Sequence, residues 1–367
     1  MTTDNNFLGY NGFIWFNGVV EDRQDPQKLG RVKVRTLGIH TQDKTVLPTA
    51  DLPWSQVILP VTSAGISGLG ESPSFLVEGS WVFGYFRDGT DCQEPMIIGS
   101  LPGKPSELSS PSKGFYDPNG IYPRYKDEVD VNRLAVNGSQ PHLSLELRKL
   151  SRVTGIPTAD FDLVSLQDHE ATEIAASDGD TWSQPSIPYN ATYPYNHVYE
   201  SESGHIREYD DTKGNERIFE SHRTGTSYEI DSQGTKTDII KGDHYNIVYG
   251  KRQALIEGKS DLTIGGRHKL YINKDGALDN HYDIQIGPNA NINIQVDKGN
   301  LNLVVKDGTF NTNVNGDYNM KVNGNYNLDV RGNLSETVSG TKTSNTTKSV
   351  NHRGQTFTVT ANRIDLN

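Results

Sequence analysis

Cysteine is all but missing: Cys92 is the only one in 367 residues. No intramolecular disulfide can form, and the setting Asp91-Cys92-Gln93 offers no second metal ligand. A surplus of positive charge is missing too. Lys and Arg number 35 against 46 Asp and Glu, a net charge of −11, with no dense basic run. That excludes a nucleic-acid binder working by phosphate neutralisation. No apolar stretch approaches the roughly 20 residues that span a bilayer. The opening Met1-Thr-Thr-Asp-Asn-Asn6 lacks the basic and apolar regions of a secretion signal, so synthesis as a soluble chain inside a cell is expected. Only 34% of residues are hydrophobic, too few for one large core.

What is present is glycine, 36 residues, and aromatics, with 17 Tyr, 11 Phe and 4 Trp. A solvated tail carries fewer aromatics, so ordered structure around a thin core is expected. Up to residue 103 short β-like runs alternate with Gly, Pro and Asp: Gly12–Phe16, Gly30–Arg35, Trp54–Leu59, Gly79–Phe86 and Pro95–Gly99. This spacing predicts a small barrel or sandwich. Val32 and Val34 alternate with Arg31, Lys33 and Arg35, which predicts one buried and one wet face. Residues 104–192 are rich in Pro, Ser and Asp, with one short helix-like stretch, Leu143–Leu150, and read as an extended linker. From Tyr193 the chain is β-like almost to its end.

The repeat there decides the architecture. Glycines fall every eight residues at Gly242, Gly250, Gly258 and Gly266, and again at Gly308, Gly316, Gly324, Gly332 and Gly340. Two residues before most of them stands a β-branched residue: Ile240, Val248, Ile256, Ile264, Val314, Val322, Val330 and Val338. Eight is even, so an extended chain returns each position to the same face. Odd positions from Asn311 to Ser339 are all polar, whereas the even ones carry Phe310, the valines, Tyr318, Met320, Tyr326 and Leu328. Such a ribbon cannot bury its apolar face by itself. Stacked octads closed by neighbouring chains would bury the valines, and glycine suits a sharp corner or crowded backbones because it lacks Cβ and accepts positive φ. Calcium-binding β-rolls use nine-residue repeats with regular aspartates, whereas residues 309–340 hold only Asp317, Asp329 and Glu336 as acids.

These valine-glycine octads resemble the triple-stranded β-helix of contractile-tail spikes: the central spikes of T-even-type phage baseplates and the spikes of type VI secretion. The run from Val19 through Glu21, Asp25, Pro26 and Gly30 to Val34 resembles the opening of the spike's OB-fold domain. Leu52-Pro-Trp54, Val77-Glu-Gly79, Ile98-Gly99 and the stretch Gly114–Arg124 fit the phage family specifically. Tyr193–His205 and Asp210–Ile218 resemble the lead-in to the spike helix.

The resemblance implies an all-β chain: an OB-fold barrel (1–103), an extended linker (104–192), a β-rich lead-in (193–235) and an intertwined triple-stranded β-helix, a β-prism (236–367). It further implies a homotrimer at the centre of a virion's tail baseplate. That trimer would dock on a separate hub protein, with a possible tip-sharpening protein beyond Thr346, and would puncture the host outer membrane. The T-even spike carries a lysozyme domain between barrel and helix. Here the interval 125–192 is too short for one and lacks its pattern, so no catalytic residue is carried over, and Glu146, Asp160 and Asp162 read as solvated linker charge. The alternatives are a peptidoglycan-degrading tail enzyme with its site in that interval, and a type VI-like secretion spike. The latter begins with a fused hub domain that is not seen here.

Other motifs carry less. Gly65-Ile-Ser-Gly-Leu-Gly70 has no Lys-Ser/Thr after it and reads as a mobile OB loop rather than a phosphate cradle. Asp210–Glu216 lacks EF-hand spacing and reads as a hairpin turn. The ten histidines form no ligand spacing, so no metal or cofactor is expected.

Overall fold

The computed structural model describes residues 12–73, 75–116, 120, 126, 129–136, 172–177, 179–202, 204–272 and 281–364. The chain divides into two units, Met1–Leu270 and Tyr271–Asn367. The stretch Leu143–Leu150 and the carboxylates Glu146, Asp160 and Asp162 lie outside the described residues. Among the described residues no helix is long and apolar enough to cross a membrane.

Each of the five early runs becomes a strand: β1 (Ile14–Asp22), β2 (Val32–Thr36), β3 (Trp54–Val57), β4 (Trp81–Phe86) and β5 (Pro95–Ser100). They close into a barrel in the order β1-β2-β3-β5-β4, with β3 and β5 parallel and the other pairs antiparallel. Phe16, Val20, Val32, Val34, Val82, Phe86 and Ile97 fill the interior. Fully burying side chains of this kind contributes about 1.5–3 kcal/mol each. Gly84 permits closure, because a Cβ there would overlap the Met96 carbonyl and press on the Phe16 ring.

The alternation expected in β2 is overturned. Lys33 and Arg35 are buried along with the valines, because loop 37–51 and residues 112–114 cover the strand's outer side. The Arg35 guanidinium donates to both Glu21 carboxylate oxygens, at 2.5 and 3.1 Å, and to the carbonyls of Thr41 and Leu47, each at 2.7 Å. The Thr49 hydroxyl donates to Glu21 at 2.6 Å. A bulge between Val20 and Asp22 takes Glu21 out of the β1–β2 register, which re-aims its side chain. Lys33 donates to the Ala50 carbonyl at 2.6 Å and lies over the Trp54 ring. Buried charge is tolerated where it is paired and hydrogen-bonded, and these groups supply each other's partners. Gly114 closes the lid: a Cβ at that position would collide with Arg35 Nε and Glu21 Oε1.

A short hairpin follows, β6 (Ile174–Ala175) and β7 (Thr181–Trp182). An antiparallel meander comes next: β8 (Asn196–Glu200), β9 (Ile206–Asp210), β10 (Arg217–Ser221), β11 (Ser227–Ile230) and β12 (Lys236–Ile239). The segment after Asp210 is indeed a turn, with Gly214 at φ 81° and Asn215 N–H donating to the Thr212 carbonyl at 2.9 Å. Leu134, Ile206 and Phe219 form the sheet's core, with Tyr189 and Val198 packed against it. The interval 104–192 therefore contributes packed residues to this sheet. The sheet meets the barrel through an Arg23–Glu202 ion pair at 2.7 Å and an edge-on Phe75–Tyr199 contact.

Candidate functional site: the repeating ribbon and the sheet that leads into it

Beyond Ile239 the described chain is extended, exposed throughout and free of strand pairing within itself. Its geometry nevertheless repeats. Extended runs of six residues, 243–248, 300–305, 309–314, 317–322, 325–330, 333–338 and 341–346, are separated by bends. Val248, Val314, Val322, Val330 and Val338 each end a run, and Gly250, Gly316, Gly324, Gly332 and Gly340 each end the bend that follows. Ile240 and Ile264 likewise stand just before the bends that end in Gly242 and Gly266, while Ile256 lies two residues before the bend at Gly258.

Within an octad the column's β-branched residue is the most shielded of the large apolar side chains even in a single chain. Val322 is 47% exposed against 66% for Tyr318, and Val330 42% against 62% for Tyr326. The same ordering holds in every octad that carries another large apolar side chain. Covering the column would remove its remaining apolar surface from water, which is favourable.

The glycines behave differently from the positive-φ expectation. Of the nine, only Gly308 has positive φ, 125°. At the other eight an added Cβ would meet nothing within 4 Å. Neither backbone conformation nor crowding within the chain demands glycine there. The two-residue bends at the octad glycines are made without positive φ; elsewhere in the ribbon Asn289, Gly299 and Gly308 take the left-handed region.

Longer bends explain where the glycine phase slips. At 297–299 and 306–308 the bend has three residues instead of two, and it ends in Gly299 (φ 129°) or Gly308. The runs on either side of the second bend still have six residues. Val296 and Val305 therefore hold the column position, nine residues apart, with exposures of 47% and 51% that match the octad valines. An eight-residue search passes over them; a nine-residue one, allowing the extra residue to sit in the bend, would have found them.

The lead-in sheet is held by a buried polar network. Arg217 pairs with Glu208 at 2.8 Å and Glu229 at 2.6 Å while lying over the Phe219 and Tyr189 rings. Burial pushes the Glu229 carboxyl up, against the pull of Arg217, and burial followed by the Glu208 charge raises the Tyr189 phenol. Asn196 donates to Glu208 at 2.7 Å and to the Leu134 carbonyl at 3.2 Å, where Tyr189 also donates at 2.8 Å. Arg133 and Asn132 both reach the Glu200 carboxylate. These contacts fasten residues 132–134 and 189 to the sheet that leads into the ribbon.

In the barrel, Arg31 and neighbouring backbone N–H groups hold the Asp25 carboxyl far below the usual carboxylate range and brace loop 23–31. The loop from Gly65 to Gly70 is closed by its own hydrogen bonds, Gly65 N–H to Leu69 at 3.2 Å and Glu71 N–H to the Ser63 hydroxyl at 2.9 Å. Among the described residues no helix follows it that could complete a phosphate cradle.

Residues 38–187 match the family described as the Gp5 N-terminal OB domain. Protein Gp5 of Vibrio phage KVP40 is 39% identical over 280 residues, 72% of this chain and 66% of that protein. The pre-baseplate central spike protein Gp5 of Enterobacteria phage T4 is 44% identical over 119 residues, 31% of this chain and 20% of that protein. The chain thus spans about two thirds of the length of the Vibrio phage relative and a fifth of the T4 one.

Proposed function

Because the chain belongs to the family of T4-type phage baseplate spikes, we propose that it is the central spike of a contractile-tail baseplate and acts mechanically. The observation that carries this reading is the ribbon: a β-branched column at fixed phase, 41–62% exposed and without a pairing strand among the described residues. Three copies winding their six-residue runs around one axis would turn every column side chain inward. They would also pair the free backbone groups and bring the glycine bends of neighbouring chains together, which is where a missing Cβ matters.

The barrel, with its lead-in sheet, docks on a separate trimeric hub, and the far end of the rod faces the host, with room for a tip-sharpening partner past Thr346. Sheath contraction then drives a narrow rod through the outer membrane. Hydrogen bonds shared between chains keep the rod from buckling, and intertwining raises the kinetic barrier to unfolding because no chain can leave alone. The spike itself carries no catalysis in this reading, and wall hydrolysis falls to another protein. The test is the oligomeric state of the purified chain: an SDS- and heat-resistant trimer by gel and sedimentation is expected, and a folded monomer overturns the proposal.

A further inference from the structure

We propose that the β6–β7 hairpin is a clip that fastens the chain to the outer side of the ribbon at Thr263. The inference rests on the spike reading for its purpose, although its geometry stands apart from it. The Thr263 hydroxyl donates to the Ala175 carbonyl at 2.7 Å and accepts the Trp182 indole N–H at 3.4 Å. Ala175 and Trp182 lie on opposite strands of the hairpin, where Ile174 faces Trp182 and Ala175 faces Thr181. One hydroxyl therefore bridges both strands, across 88 and 81 residues of sequence, with its donor and one acceptor lone pair both used.

The place of attachment is informative. Thr263 directly precedes Ile264, so in an extended chain its side chain points away from the column. A hairpin fastened there leaves the apolar face free for other copies. The hairpin is itself closed, by Ala176 N–H donating to the Asp180 carbonyl at 2.8 Å and by Gly179 at φ 89°, a left-handed position that favours glycine.

The chain then runs through Pro185 and Pro188, which stiffen it, to Tyr189, anchored on Leu134, which packs against the lead-in sheet. Thr192 N–H adds a second anchor on the Thr212 hydroxyl at 2.9 Å. A short stiff strut thus joins two levels, the lead-in sheet and the third octad. Load arriving from the barrel side enters the rod at both, and the first three octads are braced against unwinding from the sheet.

The experiment uses the full chain with Cys92→Ser, carrying Ala175→Cys and Thr263→Cys, under mild oxidation. A disulfide closing within one chain is expected, read as a mobility shift of the denatured monomer that reduction reverses. A cross-link between chains, or none, overturns the clip. Separately, Trp182→Ala should speed amide exchange across residues 243–262 about fivefold, the factor carried by one ordinary hydrogen bond, and unchanged exchange there also overturns it. Failure to form a trimer while the intrachain disulfide closes would count against the spike reading and leave the clip standing.

Discussion

Arg35 grips the Glu21 carboxylate through two hydrogen bonds, and neither side chain is exposed to solvent. The pair joins β1, β2 and loop 37–51 at one point, under the backbone of Gly114. Removing one partner strands the other as a buried unpaired charge. Glu21→Gln should therefore destabilise the barrel by about 3–5 kcal/mol, and the double variant Glu21→Gln with Arg35→Met by much less. Denaturant unfolding followed by tryptophan fluorescence in a double-mutant cycle checks this, and equal losses in single and double variants would refute the coupling.

His40 supplies a pH dependence. Burial, then the nearby Arg35 charge, lowers its imidazole below the ordinary 6.5, with Glu21 pulling weakly the other way. The Thr36 N–H donates to its Nδ1 at 3.0 Å, which requires that nitrogen unprotonated. The unfolded chain thus binds the proton more readily than the folded one. The stability His40 contributes is fully present above pH 6.5 and is lost as pH falls through the lowered value. The barrel's unfolding midpoint should drop over that window in wild type and flatten in His40→Asn, measured in parallel titrations.

Placing charge on the column tests the inward assignment. Val322→Asp with Val330→Asp would bury six unpaired carboxylates per trimer, and assembly should be lost. Wild-type trimer yield from this variant would mean that the column does not face other chains.

Glycine at the bends gives a subtler test. Gly332 has no positive φ and an open Cβ direction in its own chain, so the methyl of Gly332→Ala meets nothing there. Destabilisation of the trimer by this substitution would report crowding by neighbouring chains. A lowered melting temperature of the trimer, with the barrel unperturbed, is expected; an unaltered one would remove inter-chain crowding as the reason for the repeat.

A peptidoglycan zymogram should show no clearing by the purified chain. Clearing that persists when residues outside 125–192 are replaced by alanine, and vanishes when those inside are, would instead identify a wall-degrading activity in that interval.

All five barrel strands and the octads were legible in the sequence, because both are written in periodicity: hydrophobic runs between turn residues, and an even repeat. Lys33 and Arg35 were misread as wet because alternation records polarity and not pairing; their partners come from residues 21, 41, 47 and 50, remote from the strand they sit in. Leu134, Tyr189 and Trp182 were invisible for a related reason. None of them belongs to a periodic pattern, and only the sheet or ribbon each touches gives it meaning.

Most extended runs of the ribbon have six residues while the bends vary in length; the run 251–257 has seven and is followed by a one-residue bend at Gly258. At 297–299 and 306–308 the left-handed glycine, Gly299 or Gly308, takes up one extra residue in the bend, and Val305 and Val314 then resume the column position. In the proposed spike each added run-plus-bend unit would lengthen the rod by one step, so its length would be graduated like a ruler while the contacts inside each unit stay the same.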